Sequence, residues 1–149
     1  SDALREQTVV SNYSYSSKEK VGDHWIMIGD AATFLDPVFS SGVHISLQSS
    51  QLAAHSIIEA LEKKVTLLES EKGQNYEKQL KIGVERFQSL LLIFYKTSFY
   101  KHMSKTIQTD MIYKSFTSAI SGDMWNDDNF LFRLGVLKDG KLPSENYLV

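Results

Sequence analysis

Apolar and polar positions alternate at the start of the chain and then shift to helical spacing. Val9, Ser11, Tyr13 and Tyr15 occupy alternate positions, which predicts a strand carrying two aromatics on one face. A mostly polar stretch, 16–23, closes in the turn pair Gly22-Asp23. Trp25-Ile26-Met27-Ile28 follows as a continuous apolar run with Gly22 shortly before it and Gly29 directly after. Such a run predicts a central strand buried on both faces, of the kind that is usually parallel and flanked by helices. It stops at Gly29-Asp30-Ala31-Ala32. From Ser41 the period changes. Val43, Leu47, Ala54, Ile57, Ile58, Leu61 and Val65 form one helical stripe, the predicted core face, with Gln48, Gln51, Glu59 and Glu62 away from it. Ser40 and Ser41 stand where an N-cap is wanted.

The charge-rich stretch 63–73 reads as a helix end and a solvated loop. A second helix is predicted over 74–105, where Tyr76, Leu80, Val84, Phe87, Leu91, Phe94 and Ser98 step by three or four. Residues 90–95 are apolar all round, so that helix is expected to pack on more than one side. A third helix is predicted over 109–120, with Ile112, Phe116 and Ile120 four apart and Gly122-Asp123 as its end. The tail, 124–149, mixes aromatics, aspartates and one proline, and is expected to be irregular with short helical pieces. There is no internal repeat. Two strands before so much helix make an awkward complete domain, because a two-stranded unit has little stability alone. The missing strands are expected from a preceding portion of the polypeptide, a second chain or an oligomer.

Composition narrows the function. With 149 residues the chain can bury a real core, and 16 Lys+Arg against 18 Asp+Glu leave a net charge of −2. That balance argues against nucleic-acid binding through phosphate contacts. With no cysteine there is no disulfide, thiolate metal site or cysteine nucleophile. The longest apolar run falls far short of the roughly 20 residues of a membrane helix. No signal peptide is recognisable. A cytoplasmic globular chain is the expectation.

The chemistry concentrates in one stretch, WIMIGDAATFLDPVFSSGVHISLQSSQLAA, residues 25–54. It reads as a buried strand, a sharp Gly-Asp end, a loop with Asp36-Pro37, and Ser-Ser-Gly opening a long helix. Asp30 falls at the carboxyl end of a strand, where ligands bind in open α/β sheets. A carboxylate there accepts hydrogen bonds from a chain of hydroxyls. Gly42, lacking Cβ, allows a flat ligand close to the backbone. The free N–H groups of the helix start suit an anion or an electron-rich ring oxygen.

Gly29-Asp30-Ala31-Ala32 and Asp36-Pro37-Val38-Phe39-Ser40-Ser41-Gly42-Val43-His44 resemble the second FAD-binding motif of flavin-dependent monooxygenases and their halogenase branch. The DPVFSSGVH extension resembles most the halogenases acting on phenols or pyrroles. Ala53-Ala54 fits the same pattern, with weaker echoes at Phe94-Tyr95 and at Ser121-Gly122-Asp123-Met124-Trp125. The resemblance implies an α+β fragment, mostly helical with two or so N-terminal strands. It would be the C-terminal part of an FAD-binding α/β, Rossmann-type flavoprotein. Residues 1–65 would form a partial FAD-binding region and 66–149 a helical C-terminal subdomain.

By the same resemblance, Gly29, Asp30 and Ala31 form the ribityl-side turn, with Asp30 on the ribityl chain, and Asp36 and Pro37 shape the loop beside the isoalloxazine. Gly42 and Val43 offer amides to the pyrimidine edge, and Ser40, Ser41 and Gly42 lie where halogenases hold a halide. The implied reaction uses reduced FAD and O2 to oxidise halide or transfer oxygen to a small aromatic substrate, with a flavin reductase as electron source.

The departures carry equal weight. Tryptophan-halogenase relatives have a glutamate where this chain has Phe39, which argues against a tryptophan substrate. The first FAD motif, G-x-G-x-x-G, has no match, nor has the Trp-x-Trp-x-Ile-Pro signature or the catalytic lysine, a role Lys18 and Lys20 do not take. The chain is therefore expected to be inactive alone, without tight FAD binding. His44 and His55, 11 residues apart, lie roughly 16 Å apart along a helix rising about 1.5 Å per residue, so they share no metal. Tyr95, Phe99, Tyr100 and Tyr113 are expected as helix core rather than a substrate pocket. Asp123, Asp127 and Asp128 lack the glycine and distal glutamate of a calcium loop. Two alternatives remain: an FAD-dependent reductase or hydroxylase of the same superfamily, and a helical interaction module without flavin.

Overall fold

A computed structural model describes residues 13–96 and 110–133, without the side chains of Ile93, Lys96 and Ile112. Expectations for Val9, Ser11, Ser98, Phe99, Tyr100, the remainder of the second helix to 105 and the tail beyond 133 lie outside the described residues. Among the described residues, four two-residue strands and five helices follow in order: β1 (Tyr15–Ser16), β2 (Val21–Gly22), β3 (Trp25–Ile26), α1 (Gly29–Ala32), β4 (Thr33–Phe34), α2 (Ser41–Lys63), α3 (Glu71–Lys96), α4 (Asp110–Ile120) and α5 (Phe130–Arg133). β1 runs antiparallel to β4 with Tyr15 opposite Phe34, and β2 to β3 with Val21 opposite Ile26. Tyr13 and Tyr15 share a face as their alternation predicts, both stacking on Phe34 at ring-centroid distances of 5.4 and 6.4 Å.

The strand over 25–28 departs from expectation. Among the described residues its one partner is β2, in an antiparallel hairpin, and Trp25 and Ile28 are exposed while Ile26 and Met27 are half-buried. No parallel neighbour stands beside it within these residues. A run that is apolar throughout needs cover on both faces, and the helices here supply only one.

The core lies between α2 and α3, which pack antiparallel: Lys72 N donates to Glu59 Oε2 (2.7 Å) at one end, and Tyr95 reaches Asp36 at the other. α3 buries the predicted stripe, Tyr76, Leu80, Phe87 and Leu91, with Val84 and Phe94 half-buried. Full burial of such side chains contributes about 1.5–3 kcal/mol each. Its apolar 90–95 segment is covered on one side only: Leu90 and Leu91 are buried, Leu92 and Tyr95 exposed.

α2 turns the opposite face inward from the one its apolar stripe predicts. Ser41, Ile45, Ser49, Ala53, Ser56 and Ala60 are buried, whereas Val43, Leu47, Ile57, Ile58, Leu61 and Val65 are exposed. Small residues let α2 approach the bulky side chains of α3 closely, since interaxial distance follows the contact residues. The buried hydroxyls are satisfied locally: Ser56 Oγ donates to Leu52 O (2.9 Å) and Ser49 Oγ to Ser46 O (3.1 Å). No buried side-chain polar atom lacks a partner among the described residues.

α2 ends at Lys64, whose left-handed φ of 54° lets Val65 N donate to Ala60 O. The connector to α3 is more ordered than a solvated loop. Thr66 and Glu69 exchange N–H donation in a capping box, and Leu67 and Ser70 are buried. The segment after α4 is clamped to α3. Arg86 Nη1 donates to Met124 O (2.8 Å), its other nitrogen pairs with Asp127, and its guanidinium lies 4.3 Å from the Phe132 ring centroid. Trp125 Nε1 donates to Gln79 O (3.0 Å).

Candidate functional site

The motif folds around one backbone position that needs glycine, Gly29. Gly29 has φ +54°, where an L side chain is strained, and a Cβ there would meet Ser46 Oγ at 2.6 Å. Its N–H donates to the buried Ser49 Oγ (2.9 Å). α1 is thereby pressed onto α2. A Cβ at Gly42 would stand 3.4 Å from Asp30 Oδ1, so the Asp30 carboxylate lies at the start of α2. β1 fixes the other side of α1: Tyr15 OH donates to Asp30 O, and Ser17 Oγ to Ala31 O (2.9 Å).

The loop from Asp36 to Ser41 is held from within. Asp36 Oδ1 accepts Val38 N (2.8 Å) in an Asx turn, Pro37 O accepts Ser40 N (3.1 Å), and Asp36 O accepts Ser41 Oγ (3.0 Å). Ser40 is the N-cap residue, as its position predicts, but its left-handed φ of 52° leaves it without a side-chain capping bond. An α-left conformation turns the hydroxyl away from the N2 and N3 amides that a capping serine serves. Ser41 is buried and its hydroxyl is spent on the loop, whereas Ser40 is exposed.

Val43 N donates to Ser40 O (3.1 Å), which leaves the Ser41 and Gly42 amides without a carbonyl among the described residues. No acidic residue occupies the first turn of α2, so its dipole is faced chiefly by Asp30. The structure thus gathers Gly29, Asp30, Ala31, Ser41 and Gly42 at one helix end, with Asp36, Pro37 and Ser40 on the adjoining loop.

Two contributors come from the Phe94-Tyr95 pair, a weak echo of the family pattern whose contact with the loop the sequence did not reveal. Tyr95 OH donates to Asp36 Oδ2 (3.0 Å) across 59 residues of chain, and Phe94 packs edge-on against Phe39 at 5.3 Å. Tyr95 and Tyr113 are exposed, not core, because α3 and α4 direct them away from the α2 contact. The bond to the Asp36 carboxylate raises the Tyr95 pKa above its usual value. His44 stacks on Phe87 at 5.8 Å, and His55 is exposed. Asp123 accepts from Ser118 Oγ (2.7 Å) and Asn126 Nδ2 (3.2 Å).

The donor set is chemically compatible with one side of a flavin: a carboxylate beside the unengaged Gly42 amide, with no Cβ there to block a flat ring, suits a ligand carrying a hydroxylated chain and carbonyl-bearing rim. A family model described as tryptophan halogenase matches residues 9–134, and the chain belongs to that family of flavin-dependent halogenase-type proteins.

Relatives agree. The chain is 35% identical over 96 residues to a 1H-pyrrole-2-carbonyl-[peptidyl-carrier protein] chlorinase of Pseudomonas fluorescens, covering 64% of this chain and 21% of that protein. It is 34% identical over 112 residues to the flavin-dependent halogenase armH5 of Armillaria mellea, covering 74% and 21%. To a tryptophan 2-halogenase of Chondromyces crocatus it is 43% identical over 47 residues, 32% of this chain and 9% of the other. The chain therefore spans about a fifth of the length of the first two relatives. FAD is the cofactor that membership implies.

Proposed function

We propose that this chain is the C-terminal portion of an FAD-dependent halogenase, supplying the second flavin motif and the helices that brace it. The observation carrying this reading is the Asp30 carboxylate beside the unengaged, half-buried Gly42 amide at the start of α2. Asp30 would accept hydrogen bonds from the ribityl hydroxyls, while Gly42 would donate to the pyrimidine rim; the Val43 amide, expected beside it, is already given to Ser40 O. There the helix dipole favours negative charge on the reduced ring. Asp36 and Pro37 would set the loop beside the ring, and Ser40, Ser41 and Gly42 would border the halide. When bound and reduced, FAD supplies the electrons that activate O2 for oxidation of halide.

Residues 1–65 would form the flavin-side region and 66–149 the helical subdomain. Outside the chain the reaction needs a small aromatic substrate of the phenol or pyrrole class, a flavin reductase and a cytoplasmic setting. Catalytic groups are expected beyond these 149 residues. Neither nucleic acid nor membrane is a proposed partner, and no helix among the described residues is long and apolar enough to cross a membrane. The exposed apolar face of α2 suits a homo-oligomer.

The test uses the full-length polypeptide with reduced FAD, bromide and a phenol, with product followed by mass. Brominated phenol is the expected outcome; hydroxylated product alone would replace halogenase by hydroxylase. One observation favours that second reading: the Ser41 hydroxyl faces Asp36 O and not the open side. Hydride reduction alone would favour a reductase. Asp30→Ala should weaken FAD binding about tenfold or more, measured by flavin fluorescence titration, given the strength of hydrogen bonds to a charged group.

A further inference from the structure

Asp36 sits at the corner of the loop, and all three of its oxygens are engaged. Its main-chain carbonyl accepts Ser41 Oγ and its Oδ1 accepts Val38 N, both within the loop. Its Oδ2 accepts Tyr95 OH at 3.0 Å, a bond from the far end of α3. A second contact repeats the link, one residue away on α3 and three residues on along the loop: Phe39 lies against Phe94 at 5.3 Å with the rings at 77°. Among the described residues, the other hydrogen bonds of Asp36 stay within the loop. Ser40, in a left-handed conformation, and the unengaged Gly42 amide lie at the other end of the same loop.

Resting on the flavin reading above, we propose that Tyr95 is a positioning residue. Its hydroxyl holds Asp36, and through it the 36–41 loop, in the geometry that presents the Gly42 amide to the flavin ring. A phenol donating to an ionised carboxylate is stronger than a neutral pair and has a defined direction. The half-exposed ring makes Tyr95→Phe a clean deletion of that one bond, because the Phe94–Phe39 contact and the core face of α3 are untouched.

The experiment is a cycle of Tyr95→Phe, Asp36→Asn and the double variant in the full-length polypeptide. FAD affinity and the visible absorption of bound FAD are the readouts, with Tyr113→Phe, another exposed tyrosine, as control. Tyr95→Phe is expected to weaken FAD binding about three- to tenfold, the range of one ordinary net hydrogen bond, as suits an exposed donor. It should also move the bound-flavin spectrum toward that of free FAD while the melting temperature stays within about 2 °C. The double variant should lose no more than the worse single variant, as partners in one interaction do. FAD affinity within twofold of the unsubstituted protein with an unaltered spectrum would overturn the positioning role, as would losses that multiply in the double variant. Failure of the unsubstituted polypeptide to bind FAD would overturn the flavin reading and this inference together.

Discussion

Gly29 illustrates how a single residue can be constrained twice, by its own dihedral and by its neighbour. The φ of +54° and the nearness of Ser46 Oγ both exclude a side chain. Gly29→Ala is expected to lower stability by about 1–3 kcal/mol, combining left-handed strain with the displaced Ser46, measured as a drop in the thermal midpoint. Tyr76 is the buried titratable residue with consequences for pH. Its hydroxyl donates to Met27 O (2.5 Å), and burial pushes its pKa up to about 12. The folded chain holds this proton more tightly than the unfolded one, where the pKa is about 10. The stability from this group is complete below about pH 10 and is lost as pH rises toward 12. The urea-denaturation difference between the unsubstituted chain and Tyr76→Phe should shrink by about 1–2 kcal/mol from pH 9 to pH 12. The glycines and Asp30 were legible in the motif because their constraints are local. Tyr95 was not, since its bond to Asp36 spans 59 residues and no short pattern encodes it.

α2 is the element where periodicity and packing disagree. The 3.6-residue spacing correctly gives a helix, yet the stripe of large apolar residues is its exposed side and the Ser/Ala stripe its buried one. Periodicity separates two faces without saying which one meets α3. Two substitutions discriminate the faces. Ala53→Leu, at a buried position facing α3, should cost about 1–3 kcal/mol by overpacking. Leu61→Gln, at a position 72% exposed, should change stability by no more than about 0.5 kcal/mol, measured by urea denaturation. α3 shows the opposite case: its stripe from Tyr76 to Leu91 is the buried one, because bulky residues on that face are what fills the space beside the small residues of α2.

At the scale of the whole molecule, on the reading proposed above, the described residues would supply one wall of a flavin site. Asp30 and the Gly42 amide would line it, and the sequence has no G-x-G-x-x-G to cradle a pyrophosphate. The 149-residue chain expressed alone is therefore expected to bind FAD no tighter than about 100 µM by calorimetry, a loss of several kcal/mol from a complete site. The strand over 25–28 carries the same message in its fold, with Trp25 and Ile28 exposed where a central strand was predicted. Sequence by itself determined the long helices, the start of α2 at Ser41, the glycine-dependent turn at Gly29 and the family, because each is written in neighbouring residues; it placed the start of α3 at 74 rather than Glu71 and did not foresee α1. Only the tertiary structure decided which face of α2 is core, that Ser41 turns its hydroxyl to Asp36, and that Tyr95 braces the loop. Those outcomes depend on which surfaces meet across the chain, and contact between distant residues leaves no period or spacing in the sequence.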